Sequence, residues 1–382
     1  MKMNRLQTED AIAAAIKDAS GPLRILGGGT RPVGRPVTAE ALSVAGLSGI
    51  TLYEPGALTL VAKAGTPLAE IEDALTVANQ RLAFEPQDFR AVLGTTGTPT
   101  IGGIVAGNVS GPRRIAVGAC RDFLLGVRFV DGSGQIIKNG GRVMKNVTGY
   151  DLVKLMCGSY GTLGALTEVS LKVLPNVEAA ATLRFVDLDM PESITLMSNA
   201  LGSPFEVTGA ARCGTDTLLR IEGFTGSVAY RADMLQSRLK LFGSADLITD
   251  AQTHAKIWLN IRDMTEFAEH DALWRVSLRP SHAAAFIQMM QQMHSFDYAL
   301  DWGGGLVWAA AKTGTGDLEA LHTELQHNAS LMKGHCTLIK GSDALRTTLP
   351  AFQPEHPSIA AITAGLRAKF DPRGILNPGM MT

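Results

Sequence analysis

The spacing of hydrophobic and polar positions changes repeatedly along the first sixty residues, which predicts short helices and strands there. Thr8, Glu9 and Asp10 precede an apolar stretch with helical spacing, so a helix is expected that Thr8 caps and Gly21 ends. Brief apolar runs then predict strands at 23–26, 42–44, 50–53 and 58–64. The chain therefore begins as a mixed α+β unit.

The pattern next predicts one further helix and one further strand before residue 90. Thr66 and Pro67 are a cap and a first-turn residue for a helix that extends to residue 78. Residues 81–84 predict another strand, which ends where Pro86 restricts the backbone.

Glycine is concentrated in the next part of the chain. Between Gly94 and Gly164 lie 16 of the 41 glycines, in a segment otherwise rich in Ile, Val, Leu and Phe. A flexible linker would carry Ser, Pro or charge instead of these apolar residues. Such glycine density is typical of main chain that a ligand approaches closely, so we expect a cradle for a large, partly anionic ligand.

Regular elements are also predicted within the glycine-rich segment. Residues 123–130 and 135–139 flank a turn that starts at Asp131, which predicts a hairpin. Residues 150–156 have helical spacing, and residues 165–174 read as a strand that Pro175 ends.

A second α+β domain with a small antiparallel sheet is predicted from about residue 177, where glycine becomes rarer. Helices are expected in this domain at 194–201, 229–241, 283–293 and 318–331, and a further helix is expected at 357–368 in the last segment of the chain. Strands are expected at 217–224, 274–278 and 305–311. The last residues are rich in turn formers.

Length and charge narrow the function. The 382 residues suit two domains, and a formal net charge of −1 gives no basic footprint for nucleic acid or an anionic membrane. No uninterrupted apolar run reaches the roughly 18 residues that span a bilayer, and the first residues lack the apolar core of a signal peptide. We expect a cytoplasmic protein with a small-molecule ligand.

Cysteine and histidine are placed so that several chemistries are excluded. The four cysteines contain no C-x-x-C pair, so neither a disulfide framework nor a zinc or iron–sulfur site is expected. All eight histidines lie between His254 and His356, so the glycine-rich half cannot use histidine for metal binding, acid–base chemistry or covalent chemistry.

The run Gly27-Gly28-Gly29-Thr30 follows the strand at 23–26 and invites a nucleotide-binding interpretation. A Rossmann turn is excluded because Pro32 and Pro36 obstruct the helix that must follow. A P-loop is excluded because the run does not end in Gly-Lys-Ser/Thr. The remaining alternatives are a nest of backbone N–H groups for phosphate oxygens and an ordinary tight turn.

Several motifs together resemble the vanillyl-alcohol-oxidase type of FAD-binding flavoprotein, which has a PCMH-type FAD-binding domain. They are the loop at 27–30, Thr100-Ile-Gly-Gly, Asn108, Gly111, Arg121-Asp122, the Asp131 turn, Gly161-Thr-Leu-Gly, Thr167-Glu168 and the segment from Phe370 to Gly379. Within that group, a second set resembles the FAD-binding E-subunit family of bacterial glycolate oxidase. That set comprises Gly111-Pro-Arg-Arg, Val143-Met-Lys-Asn-Val, Gly149-Tyr-Asp-Leu, Trp274-Arg275, Asp301-Trp-Gly-Gly and Gly334-His335.

The resemblance implies an α+β architecture: a PCMH-type domain at 1–176 with subdomains at about 1–55 and 56–176, a cap at 177–345, and a segment at 346–382 that returns to the first domain. It also implies bound FAD. Relatives often link the flavin to a histidine or cysteine, but no histidine precedes His254, and Cys120 and Cys157 are expected to be buried structural thiols, so the FAD is expected to be non-covalent. The cofactor-binding residues expected are Gly27, Gly28, Gly29, Thr30, Thr100, Gly102, Gly103, Asn108, Gly111, Arg113, Arg121, Gly161, Thr162, Gly164 and Thr167. Arg113, Arg114 and Arg121 are candidate partners for phosphate or carboxylate, or simply structural charges.

The function implied is flavin-dependent oxidation of glycolate to glyoxylate, within a complex that includes a second FAD subunit and an iron–sulfur subunit, in the cytoplasm or at the inner membrane through those partners. His335 is the candidate base and Arg275 the candidate carboxylate clamp, with Trp302 in a lining loop. No metal is expected, because the histidine-rich metal motif of related 2-hydroxy-acid dehydrogenases is absent. Two alternatives stay open: a stand-alone 2-hydroxy-acid dehydrogenase and a non-catalytic assembly subunit.

Overall fold

The chain divides into two units in a computed structural model that describes residues 6–142 and 149–381. The first unit comprises the residues up to Ser110, then Gly118–Asn176, then Pro354 onwards. The second comprises Gly111–Val117 and Val177–Gln353. The short segment Gly111–Val117 is thus a part of the second unit that interrupts the sequence of the first.

Two sheets form the framework of the first unit. A parallel pair joins Leu23–Leu26 to Glu40–Ser43, and a five-stranded antiparallel sheet has the order Ile50–Glu54, Thr59–Lys63, Ala165–Lys172, Leu124–Val130, Ile136–Gly140. A third, two-stranded pair joins Gln80–Arg81 to Leu174–Pro175. The helices are Glu9–Lys17, Leu68–Val77, Arg90–Leu93, Ile101–Ala106, Cys120–Phe123, Leu152–Met156 and Pro357–Phe370.

The parallel pair has an unusual connection. Parallel strands are commonly joined by a crossover helix, but here residues 27–39 make the connection without one. The C-terminal segment lies along the same pair, since Leu23 donates its N–H to Ile375 O at 2.7 Å and Asn377 donates to Leu23 O at 2.9 Å. Leu23, Ile375 and Leu376 share one core cluster with Ile12 and Ile16 of the N-terminal helix.

The second unit is built on one eight-stranded antiparallel sheet. Its order is Asp246–Ile248, Ala179–Phe185, Asp216–Gly223, Val207–Cys213, Asp297–Asp301, Leu306–Ala311, Ala272–Ser277, His335–Lys340. The helices are Arg114–Val117, Met190–Leu201, Thr225–Leu239, Ala251–Asp263, Pro280–Met293, Leu318–Leu331 and Asp343–Thr348. The sheet is antiparallel as predicted, but it is larger than the small sheet expected.

The two faces of the large sheet differ in polarity. One face contributes Trp274, Val276, Val307 and Leu338 to the main apolar core. Because side chains alternate along a strand, Arg275 and the residues in register with it lie on the other face. Arg220 and Glu222 also lie on that second face, since their neighbours Leu219 and Ile221 belong to the main core.

Two local predictions are wrong. Thr66 does not cap the helix Leu68–Val77, whose N-cap is Pro67. The Thr66 hydroxyl instead donates to Lys63 O at 2.7 Å. The strand expected at 81–84 is limited to Gln80–Arg81, because only these residues find a pairing partner, the edge strand Leu174–Pro175.

Several predicted elements are confirmed. Thr8 caps the helix Glu9–Lys17 and accepts a hydrogen bond from the N–H of Ala11 at 3.2 Å. The hairpin around Asp131 forms, and the Asp131 carboxylate accepts from the N–H groups of Ser133 and Gln135 at 2.9 Å each.

No helix in the described ranges is long and apolar enough to cross a membrane.

Glu9 provides a test of how the N-terminal helix is attached. Its carboxylate accepts hydrogen bonds from Arg128 and from the Thr167 hydroxyl, the latter at 2.5 Å. Burial alone would raise the pKa of Glu9, but these two partners lower it further than burial raises it, so the net pKa lies below its usual value. We expect Glu9→Gln to destabilise the protein by about 1–2 kcal/mol near neutral pH, because the substitution removes the charge from hydrogen bonds that partial exposure to water already weakens.

The loss should depend on pH in one direction. Because the folded-state pKa of Glu9 is lowered, its contribution is complete above the usual carboxylate pKa of about 4.3 and disappears as the pH falls through the lower folded value. Urea unfolding of wild type and Glu9→Gln across this range measures the difference, with Glu40→Gln on an exposed strand position as the control. Equal unfolding midpoints at neutral pH would contradict the role.

Candidate functional site

Two glycine-rich loops of the first unit, far apart in sequence, lie against each other. A Cβ atom on Gly28 would stand 1.6 Å from Thr98 O, and one on Gly27 would stand 2.4 Å from the Thr100 hydroxyl. The Thr95 hydroxyl also donates to Thr30 O at 3.0 Å. Glycine is therefore required at 27 and 28 by the contact between the loops.

The same contact leaves backbone donors of the first loop open. Within the described part of the chain, the N–H groups of Gly28, Gly29 and Thr30 have no hydrogen-bond acceptor. Gly29 has a φ of +70°, and a Cβ there would meet nothing within 4 Å. Three consecutive unpaired amides beside open space suit the oxygens of a pyrophosphate, so the residues present fit an FAD.

The second loop uses its donors internally. Thr100 caps the helix Ile101–Ala106 and accepts from the N–H of Gly103 at 3.3 Å, while Gly102 donates to Ala64 O at 2.8 Å. A Cβ on Gly102 would come within 2.7 Å of Ala64. These residues shape the loop, and their predicted contact with the cofactor stays a prediction.

Asn108 holds three parts of the glycine-rich segment together. It has a φ of +47°, and its Oδ1 accepts from the Arg121 N–H at 3.1 Å and from the Cys157 thiol at 3.6 Å. Burial, with the neighbouring Cys157 thiol, raises the pKa of the Cys120 thiol well above its usual range. The Arg121 side chain is exposed.

The remaining predicted residues of the first unit are also engaged with protein. Gly161 has a φ of +72° and lies beside the Asn377 amide, and Gly164 lies against the Phe129 ring. The Thr162 hydroxyl donates to Ser159 O at 2.7 Å, and that of Thr167 donates to Glu9. Their predicted cofactor contacts likewise stay predictions.

Gly111 and Arg113 belong to the second unit. Arg113 is 8% exposed and binds Glu222 with two hydrogen bonds of 2.8 Å, and the Gly111 carbonyl accepts from Trp302 Nε1 at 3.2 Å. Arg113 thus has a carboxylate partner already, and its predicted contact with FAD stays a prediction.

The structure places the two predicted catalytic residues on one face of the large sheet. Arg275 is opposite Thr337, and Ser277 is opposite His335, on the antiparallel strands Ala272–Ser277 and His335–Lys340. Arg275 and His335 are therefore diagonal neighbours, a spacing that long side chains bridge.

Trp302 brings a second arginine to this face. Its ring lies 4.6 Å from the guanidinium carbon of Arg114 and 6.0 Å from that of Arg275. Trp302 has a φ of +52°, rare for a bulky residue, and Asp301 Oδ1 accepts its N–H at 2.7 Å. We call Arg114, Arg275, Trp302 and His335 the Trp302 cluster.

The electrostatics of the Trp302 cluster favour a neutral imidazole. Desolvation, and then the positive charges of Arg275 and Arg114, lower the pKa of His335, although its ring keeps exposed surface. A neutral histidine beside two guanidinium groups can accept a proton while an anion is held nearby. No group of three or more His, Cys, Asp or Glu that could hold a metal occurs among the described residues.

The sequence indicated some of these residues and missed others. Arg114 was a candidate without a location, since nothing local distinguishes it from Arg113. Glu222 was not predicted, because it is a single acidic residue in a strand. The motif Val143-Met-Lys-Asn-Val lies outside the described residues.

Comparison with known proteins agrees with these features. The family described as FAD binding domain matches residues 4–140. Glycolate oxidase subunit GlcE of Escherichia coli strain K12 is 34% identical over 375 residues, which cover 97% of this chain and 95% of that protein. A D-lactate dehydrogenase of Archaeoglobus fulgidus is 31% identical over 185 residues, 48% of this chain and 40% of that enzyme.

A solved structure shows the same fold at low identity. The 4-ethylphenol oxidase of Gulosibacter chungangensis superposes with a TM-score of 0.73 at 13% identity, covering 99% of this chain and 88% of that one. The predicted PCMH-type FAD-binding domain with an α+β second domain is confirmed. The chain belongs to the glycolate oxidase E-subunit family of FAD-dependent oxidoreductases.

Proposed function

We propose that this protein is the FAD-binding subunit of a glycolate oxidase complex and takes part in oxidising glycolate to glyoxylate. The Trp302 cluster carries the proposal, because two guanidinium groups and a neutral imidazole match a carboxylate and an adjacent hydroxyl. The 34% identity to a protein named glycolate oxidase subunit, over nearly the whole chain, supports the choice of substrate.

The first unit would bind FAD without a covalent link. The open N–H groups of Gly28, Gly29 and Thr30 would hold the pyrophosphate. The thiols of Cys120 and Cys157 are buried, and a raised pKa keeps Cys120 protonated and a poor nucleophile. When bound, FAD supplies the two-electron acceptor for oxidation of the carbon that bears the hydroxyl.

The residues of the Trp302 cluster would divide the work on the substrate. Arg275 and Arg114 would hold the carboxylate through their guanidinium groups, whose planar set of N–H donors suits it. His335 would take the hydroxyl proton on a ring nitrogen. Its lowered pKa keeps it in the accepting form at neutral pH, so no prior deprotonation is needed.

The proposed partners are a second FAD subunit and an iron–sulfur subunit. The four cysteines of this chain have no C-x-x-C pair, so a cluster that carries electrons onward would come from another chain. The complex would be cytoplasmic and would reach the inner membrane through its partners.

Anaerobic mixing of the purified chain with glycolate, alone and with partner subunits, tests the function. Loss of the oxidised flavin absorbance only with the partners present is expected for a subunit that works within the complex. Loss of this absorbance in the isolated chain would instead favour a stand-alone 2-hydroxy-acid dehydrogenase. That alternative is compatible with a candidate base and a candidate carboxylate clamp in the same unit. No loss in either case would contradict a catalytic role.

Gly28→Ala should weaken FAD binding at least about tenfold, because its Cβ would overlap Thr98 O and force the two loops apart. Titration of flavin-free protein with FAD, followed by flavin fluorescence, measures the affinity. Gly56→Ala is the matched control, since that exposed glycine has open space at its Cβ position. Unchanged affinity in Gly28→Ala would contradict the site.

His335→Gln should lower the glycolate oxidation rate of the complex by about 10²–10⁴-fold, the usual effect of losing a general base. In the wild type, kcat/KM should rise with pH through an apparent pKa below the usual histidine value of about 6.5, because desolvation and the two arginines lower the pKa of His335. The variant should lose that rise. His327→Gln, at an exposed helix position, is the control, and a full-rate His335→Gln enzyme would disprove the assignment.

A further inference from the structure

The segment Gly111–Val117 places two consecutive arginines in different environments. Arg113 is buried against Glu222, whereas Arg114 lies over the Trp302 ring. Both side chains extend from one short piece of backbone, so the position of one depends on what holds the other.

Glu222 is the centre of a buried group of charges. It is 8% exposed and accepts both hydrogen bonds from Arg113, while Arg220 Nε lies 3.7 Å from its Oε2. Arg220 is 1% exposed and lies 4.4 Å from the Trp258 ring, and Arg231 donates to the Glu222 carbonyl at 2.7 Å. One carboxylate thus compensates charges that would otherwise be strongly disfavoured in the interior.

The segment has a second attachment, through Trp302 itself. The Gly111 carbonyl accepts from Trp302 Nε1 at 3.2 Å and from the Arg114 N–H at 3.1 Å. The Ala116 N–H donates back to Arg113 O at 2.9 Å. The turn is therefore fixed at Gly111 by Trp302 and at Arg113 by Glu222, and Arg114 is the next residue along the chain.

We propose that Glu222 is a positioning residue for the Trp302 cluster: through its paired hydrogen bonds to Arg113 it holds the segment where Arg114 lies over Trp302 and presents its guanidinium to a substrate carboxylate. This inference rests on the proposed carboxylate-binding function of the cluster. Glu222 has no contact with the substrate in this role. It sets the place of a group that does.

A purely structural ion pair would also explain the burial, so the test must separate position from stability. A double-mutant cycle does so. If Glu222 acts through Arg114, replacing Glu222 should not weaken ligand binding further in a variant that already lacks the Arg114 side chain. If replacing Glu222 disorders the site in general, the two losses of affinity should add in the double variant.

The experiment measures binding of oxalate to the full-length, FAD-loaded chain. Oxalate has a carboxylate to hold but no C–H bond to oxidise, so binding is separated from turnover. Oxalate binding is followed by the quenching of tryptophan fluorescence. The Trp302→Phe variant shows how much of that signal comes from Trp302. All measurements are made well below the melting transition of each variant.

Glu222→Gln should bind oxalate about tenfold more weakly than the wild type. Arg114→Gln should show a similar loss, and the double variant should bind no more weakly than Arg114→Gln alone. Glu206→Gln is the matched control: Glu206 is an exposed carboxylate that pairs with Arg231 at 3.4 Å and not with Arg113. It should bind oxalate as the wild type does.

Two results would overturn the inference while leaving the proposed function intact: wild-type affinity in Glu222→Gln, or losses that add in the double variant. Should Glu222→Gln fail to fold, Arg113→Lys replaces it, since lysine keeps the charge but cannot make both hydrogen bonds; wild-type oxalate affinity in that variant would equally overturn it. If the wild type does not bind oxalate, or Arg114→Gln and Arg275→Gln bind it normally, the carboxylate site itself is wrong.

Discussion

The first unit depends on two loops that approach more closely than any side chain would allow. Gly28 lies so near Thr98 that even a methyl group would occupy the place of a carbonyl oxygen. The N–H groups of Gly28, Gly29 and Thr30 in the first loop have no acceptor among the described residues, and open space lies beside Gly29. Glycine at 27 and 28 therefore serves the packing of the two loops.

The second unit contains several buried charged side chains. In the strands Ala272–Ser277 and Asp216–Gly223, alternate side chains join the main apolar core, so Arg275, Arg220 and Glu222 fall on the opposite face. There Glu222 neutralises Arg113 and Arg220, while Arg114 and Arg275 stay beside the ring of Trp302. Arg113 and Arg114 are thus consecutive in sequence but differ in their partners.

The relation between fold and chemistry in this family follows from the same division. A fold shared at 13% identity with a 4-ethylphenol oxidase requires only that backbone geometry be kept, which a few glycines and turns can do. The side chains proposed to act on a substrate lie at one sheet face, and they can change while the strands remain. This is why the fold comparison alone says little about which alcohol is oxidised.

Local features of the protein were predictable from the sequence. The Thr8 cap, the Asp131 hairpin and the absence of a crossover helix after Gly29 all depend on residues within a few positions of one another. The same holds for the family, because its motifs are short and ordered. The tertiary structure alone decided that residues 82–84 lack a strand partner, that Gly28 meets Thr98, and that Arg113 meets Glu222. Those outcomes depend on the path of the chain, which brings together residues that no local pattern relates.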